Sequence, residues 1–344
     1  MKRVLNTLFV MTQGASVCHE GESVLVRADD ETRLRVPIHL LDGVVCFGAI
    51  FCTPSLLGLC AERGVTVTFL SEHGRFLARV EGPVSGNVLL RRRQYQALEQ
   101  PQFVTTIVRP IVLAKMANCR TVLQRALRDH PTPERQGPLE NAVRHLGTLL
   151  HEVRSNESDL ETLRGKEGEA ANVYFGVFDY LITAQKDAFS FRGRSRRPPL
   201  DNINALLSFL YTLVAHDARS ALETVGLDPQ AGFLHALRPG RPSLALDLME
   251  EFRAILADRL ALSLINLRQV QGKGFEQTES GAVMMDEETR KIVLSAYQER
   301  KKDEIEHPFL GESVPVGLLM QIQARLLARH LRGDLDAYPP MFFK

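Results

Sequence analysis

A change of hydrophobic period near residue 85 constrains this chain more than any other feature. Before it, "TLFVM", "ESVLVRA", "TRLRVPI", "GVVCFG", "VTVTFL" and "RFLARV" are short runs rich in Val, Leu, Phe and Thr, separated by Gly, Asp or Glu-Gly. Such runs bounded by turn residues read as strands. One helix interrupts them: in "TPSLLGLCAERG" Thr53 is the expected N-cap, Pro54 opens the first turn and Gly64 stops it. Beyond "EGPVSGN" (81–87) nearly every segment places apolar residues at i, i+3, i+4 and i+7, from "LLRRRQYQALE" and "TTIVRPIVLAKMANCRTVLQRALRDH" to "PVGLLMQIQARLLARHLRG". The expected fold class is therefore α+β. A small N-terminal β-rich domain (1–85), a sandwich with one packed helix, precedes a linker (86–100) and a large all-α-helical domain (101–344).

The 344 residues suffice for two cores, and 44% hydrophobic with 24% charged residues is ordinary for a soluble protein. Net charge is only +1, so a nucleic-acid partner requires that basic residues be segregated. The start of the chain lacks the apolar stretch and cleavage site of a signal peptide, and no run approaches the roughly 20 residues of a membrane span. Five cysteines, Cys18, Cys46, Cys52, Cys60 and Cys119, form no C-x-x-C pair. Reduced, mostly buried thiols in a cytoplasmic protein without a membrane partner are the expectation.

Basic residues do gather in two loops. "KDAFSFRGRSRRPPLD" (186–201) carries Arg192, Arg194, Arg196 and Arg197, and a Pro/Gly turn carries Arg238 and Arg241. Arg91, Arg92 and Arg93 lie near the junction. These are the candidate DNA-binding residues, each weighed against an ordinary surface salt bridge. Tyr174 and Tyr211 could help position a strand or could simply belong to the core.

The second basic turn lies inside "GFLHALRPGRPSLALDLMEEFR" (232–253), where His235 precedes a helix carrying Asp247, Glu250 and Glu251. On a helical wheel Leu244, Leu248, Phe252 and Ile255 face one side, and Asp247, Glu250, Ala254 and Asp258 the other. Ser243 is placed to cap this helix. Two readings stand: a solvated acidic face with an ordinary loop histidine, or an oxygen-plus-imidazole set for Mg²⁺ or Mn²⁺, which prefer hard ligands. A third ligand would then come from elsewhere, with Glu167 the candidate. It stands at an expected helix start beside Gly168, where a missing side chain allows close approach. His216-Asp217 has the dipeptide of metal phosphohydrolases but no matching partners and reads as a helix-surface pair. "QGKGF" lacks phosphate-loop spacing, and no G-x-S-x-G elbow is present.

"RFLARVEGPVSGNVLLRRRQY", "RGKEGEAANVYF", "RSRRPPLDNINALLSFLY", "GLDPQAGFLHALRPGRPSLALDLMEEFR", "HPFLGESVPVGLLMQIQARLLARHLRG" and "YPP" follow in this order. Together they resemble the adaptation integrase of CRISPR systems, the metal-dependent endonuclease/integrase of spacer acquisition, with wording like that of type I, subtype I-C. The likeness runs over nearly the whole chain. It implies an N-terminal β-rich dimerisation domain and a helical catalytic domain whose metal is held by Glu167, His235 and Glu250. Some relatives have Asp at the position of Glu250. Asp247 matches a supporting acidic position, and Glu169 and Glu251 are not assigned as ligands. The implied partners are double-stranded DNA (prespacer and CRISPR repeat), a second copy forming a homodimer, and a small ferredoxin-like adaptation subunit. The implied reaction is attack of prespacer 3′-hydroxyls on phosphates at the repeat boundary. A stand-alone metal nuclease acting on branched DNA and a non-catalytic DNA-bridging scaffold are the competing readings.

Overall fold

The computed structural model describes residues 7–29, 31–41, 43–72, 76–80, 82, 88–129 and 131–343. Two compact units result, Met1–Gly86 and Asn87–Lys344. Of the segment 81–87, where the periodicity changes, only Gly82 lies among the described residues.

The first unit contains β1 (Thr7–Val10), β2 (Ser16–Glu20), β3 (Ser23–Ala28), β4 (Glu31–Pro37), β5 (Gly43–Phe47), β6 (Phe51–Cys52), α1 (Pro54–Glu62), β7 (Thr66–Leu70) and β8 (Phe76–Val80). They form two four-stranded sheets, ordered β1-β5-β7-β8 and β4-β3-β2-β6. β5 runs parallel to both β1 and β7, and every residue of its "GVVCF" is buried. That is the apolar run expected of a strand covered on both faces. One core joins the sheets: Val17 and Val24 from one, Val44 and Val67 from the other, Leu56 and Cys60 from α1. Thr53 caps α1 by accepting the N–H of Leu56, and Gly64 turns the chain at φ +69°. β2 and β6 had no sequence signal of their own.

The second unit begins with α2 (Val88–Leu98), α3 (Pro101–Asp129), α4 (Pro133–Ser155) and α5 (Leu160–Gly176). It continues through α6 (Asn202–Thr224), α7 (Ser243–Met249), a π-helical segment (Arg253–Asp258) and α8 (Arg259–Asn266). It closes with α9 (Glu287–Lys302) and α10 (Leu319–Arg332). α3 packs against α4 and α5, and α6 against α7 and α10.

Four expectations need correction. The expected linker 86–100 is occupied by α2, whose Leu90, Gln94 and Ala97 are buried because their spacing is helical. The unit is mostly rather than entirely helical: β9 (Phe275–Gln277) pairs with β10 (Val283–Met285), and β11 (Glu304–Glu306) with β12 (Ser313–Pro315). The long helix expected after Ser243 is broken by turns at residues 250–252 before it resumes as the π segment. Ser243 does not cap α7. It is the first helical residue, and its hydroxyl donates to the carbonyl of Ala236 instead.

Candidate metal centre

The acidic face of α7 is not solvated. Asp247, Glu250, Glu251 and Asp258 are all buried, as is Arg253. Buried carboxylates must find partners, and each finds a different one.

Asp247 faces back into the loop before α7. Its Oδ2 accepts the backbone N–H of Phe233 (2.6 Å) and Leu234 (2.9 Å). Its Oδ1 accepts the backbone N–H of His235 (2.9 Å) and the ring Nδ1 of His235 (2.7 Å). Gly232 makes this possible: a Cβ there would stand 2.5 Å from the carbonyl carbon of Ser243, so only glycine lets the loop lie across the start of α7. The loop is pinned from two further sides. Gln94 of α2 donates to the carbonyls of Asp228 and Ala231 and accepts the N–H of Asp228, and Arg164 of α5 donates to the carbonyl of Leu234 at 2.7 Å.

With Nδ1–H given to Asp247, the lone pair of His235 lies on Nε2, 4.0 Å from Glu250 Oε1. Glu250 Oε2 has Lys115 of α3 at 2.7 Å and Arg253 at 3.0 Å. Neither is aligned as a hydrogen bond, which leaves Oε2 without a directed donor. Burial raises the Glu250 carboxyl, but the guanidinium of Arg253 and the ammonium of Lys115 outweigh it and hold the group at about 2. The same Lys115 ammonium donates to Glu167 Oε1. One lysine thus bridges an acid from α5 to an acid at the break after α7.

Glu167 is not at a helix start. α5 is capped well before it by Asp159, which accepts the N–H of Thr162, so Glu167 sits mid-helix. A Cβ on Gly168 would meet nothing within 4 Å, so no close approach depends on that glycine.

Among the described residues no three His, Cys, Asp or Glu side chains are arranged to hold a metal as they stand. The donors nevertheless suit one. Around an octahedral cation with bonds of about 2.1 Å, ligand atoms lie about 3 Å apart when adjacent and about 4.2 Å when opposite. His235 Nε2 and Glu250 Oε1, 4.0 Å apart, are close enough for one such cation to reach both. The second carboxylate, Glu167, already shares a cation with Glu250. Two carboxylates and one imidazole are the hard donor set of Mg²⁺ or Mn²⁺.

The model of the family described as CRISPR associated protein Cas1 matches residues 8–299. The chain belongs to the Cas1 family. It is 55% identical, over 344 residues and the full length of both chains, to the CRISPR-associated endonuclease Cas1 1 of Chlorobaculum tepidum. Among solved structures it is similar to a casposase bound to integration product, with a TM-score of 0.80 and 21% identity, covering 99% of this chain and 95% of that one. It is also similar to a chain of a Cas6-RT-Cas1–Cas2 complex, with a TM-score of 0.82 and 21% identity over 99% of this chain and 36% of that one. These likenesses carry the Cas1 fold: a β-rich unit followed by a mostly helical one.

In this Cas1 chain the proposed DNA-binding arginines divide. Arg192, Arg196, Arg197 and Arg238 are exposed and Arg241 half-buried. Arg194 is turned inward, donating to Ser195 O and Asn204 Oδ1, with its guanidinium 4.8 Å from the Tyr211 ring centre. A guanidinium set over a ring face, with one nitrogen donating to two fixed oxygens, is built into the fold. Arg91 and Arg93 likewise donate to the carbonyls of Gly226 and Leu331, whereas Arg92 is exposed. Tyr174 is buried, and the Tyr211 hydroxyl donates to Asp258 at 2.6 Å. Both belong to the interior behind the site. Asp217 is no surface residue either: it accepts from Tyr297 and Lys301.

Sequence reasoning missed Lys115 and Arg253. Lys115 lies in "IVLAKMANC", in phase with buried Val108, Ile111, Cys119 and Val122. A lysine on the apolar stripe of a helix is the signal that would have found it. Glu251 is also fully committed: it accepts from Tyr338 OH (2.5 Å), Gln323 (3.0 Å) and Met341 N (2.7 Å), and burial lifts it to about 7.

Proposed function

We propose that this chain is a metal-dependent DNA endonuclease and integrase of CRISPR adaptation, which joins prespacer 3′-hydroxyl ends to the CRISPR repeat by phosphodiester transesterification. The observation that carries this reading is the convergence of Glu167, Glu250 and the Nε2 side of His235, with Lys115 bridging the two acids. Glu167, His235 and Glu250 would hold Mg²⁺ or Mn²⁺. The cation, when bound, supplies activation of the attacking hydroxyl and neutralisation of charge at the phosphate. Asp247 fixes the tautomer and orientation of His235. Arg253 pairs Glu250 and keeps it ionised. Exposed Arg192, Arg196, Arg197 and Arg238 bind phosphates, giving affinity without base preference.

The relatives' names support the DNA and subunit assignments: an endonuclease, a casposase with its integration product, and a Cas1–Cas2 complex. The expected partners are double-stranded prespacer and repeat DNA, a second copy of this chain, and a small ferredoxin-like subunit of the Cas2 kind. No helix among the described residues is long and apolar enough to cross a membrane, and we place the protein in the cytoplasm with its DNA.

The test is an integration assay with supercoiled CRISPR plasmid, labelled prespacer and the small subunit, with and without Mn²⁺. Strand joining should require the metal and disappear in Glu167→Gln, His235→Ala and Glu250→Gln while prespacer binding persists. Cleavage without joining would make the protein a stand-alone nuclease. Metal-independent binding with no chemistry would make it a scaffold.

A further inference from the structure

Lys115 is an uncommon residue to find where it stands. Its side chain leaves the apolar stripe of α3, only 4% of the residue is exposed, and its ammonium touches Glu167 and Glu250 at once. Glu250 is equally buried. Two carboxylates brought together, one buried and one a quarter exposed, repel each other and are costly to desolvate unless positive charge lies between them. Lys115 and Arg253 together balance the two acids, so the set is neutral as it stands.

A divalent cation entering between Glu167 and Glu250 would add two positive charges within a few ångströms of that ammonium. At such distances, away from bulk water, like charges repel strongly. The two cations also compete for the same carboxylates, since Lys115 already holds Glu250 and Glu167. The two positive side chains differ in their freedom to move. Arg253 is held three residues along from Glu250, in the adjoining π segment, with its guanidinium 5.1 Å from the Tyr211 ring centre. Lys115 ends in a single ammonium on a flexible four-carbon stem and can withdraw.

We propose that Lys115 is the resident cation of this site, a positioning residue that ties Glu167 to Glu250 before metal arrives and is expelled when metal binds. It keeps two ligands from different elements on one ammonium, and it sets a threshold that a divalent ion must exceed to enter. This rests on Glu167 and Glu250 being metal ligands, as proposed above, and deepens that reading.

The test uses the full-length protein and two readouts other than activity. In wild type, Lys115 should resist acylation by acetic anhydride without metal and become several-fold more reactive with saturating Mn²⁺, scored by mass spectrometry of the peptide that contains it. Mn²⁺ titrations followed by electron paramagnetic resonance should show Lys115→Gln binding about tenfold more tightly than wild type, while its metal-free melting temperature is lower and recovers on Mn²⁺ addition. Should Lys115→Gln fail to fold, the wild-type acylation result decides. If Mn²⁺ binds wild type and is lost in Glu167→Gln, yet Lys115 reactivity and the Lys115→Gln affinity do not change, the resident-cation proposal is overturned and the metal site stands. If wild type binds no Mn²⁺ at all, both fall.

Discussion

Asp247 and His235 meet twice: the same Oδ1 takes the backbone N–H of His235 at 2.9 Å and its ring Nδ1 at 2.7 Å. A carboxylate only accepts, so the proton sits on Nδ1 and Nε2 is left to bind. Asp247→Asn puts an amide donor or a neutral oxygen in that place and removes the bias. Metal affinity should drop by about 10–100-fold, read by Mn²⁺ titration of the folded variant. Unchanged affinity would show that the ring is oriented by other groups.

Gly232 is the hinge of that arrangement. In Gly232→Ala the new methyl meets the backbone of Ser243 and Leu244, which cannot yield as a flexible side chain could. A destabilisation of about 2 kcal/mol in urea unfolding is expected. A variant as stable as wild type would mean that the loop relaxes freely and that the Asp247 hydrogen bonds tolerate its movement.

The arginines of loop 186–201 should separate by experiment. Arg194→Ala removes hydrogen bonds to Ser195 and Asn204 and the stacking on Tyr211, so it should cost about 1–3 kcal/mol of stability. Arg196→Glu with Arg197→Glu should leave the melting temperature near wild type. It should lower the slope of log K against log salt by about 0.9 for each phosphate no longer neutralised. The opposite pattern would reverse the roles assigned to these residues.

His307 gives a pH dependence with a definite sign. Buried in the turn after β11, its Nδ1 accepts from Phe309 N and Leu310 N while Nε2 meets Gln323 Oε1. Burial lowers its pKa below the usual 6.5, and a second ring proton would displace two backbone donors. The unfolded chain then binds the proton more readily. The stabilising contribution is complete above 6.5 and declines as pH falls toward the folded value, by at most about 1.4 kcal/mol per unit. Denaturant unfolding at stepped pH below 6.5 should show a steeper decline in wild type than in His307→Gln; parallel curves would remove His307 as the cause.

The two-part architecture was legible in the sequence because hydrophobic period is a local property, and the switch near residue 85 divides strands from helices. His235, Asp247 and Glu250 stood out as candidates by their density in one stretch, whereas Glu167 rested on a helix start that α5 does not have there; the ligand roles came from a family resemblance. What escaped has a common reason. β2, "SVCHE", alternates too weakly to stand out, and β9 to β12 have three residues each, below the length at which periodicity means anything. The break at 250–252 left no mark because apolar spacing continues across "LMEEFRAIL". It is maintained by residues distant in the chain: Asn118 donates to the carbonyl of Glu251, and Tyr338 and Met341 hold its carboxylate. Lys115 was passed over because its meaning depends on α5 and the α7 break coming to it.

The grip of Tyr338 and Met341 on Glu251 has a consequence for biosynthesis. Tyr338 lies 87 positions beyond the glutamate it secures. A ribosome moving at roughly 5–20 residues per second leaves that segment without its lock for on the order of ten seconds. During that interval Glu251 lacks the hydroxyl and the backbone N–H that fix its carboxylate, so the break after α7 gains its final shape only once the end of the chain has been made.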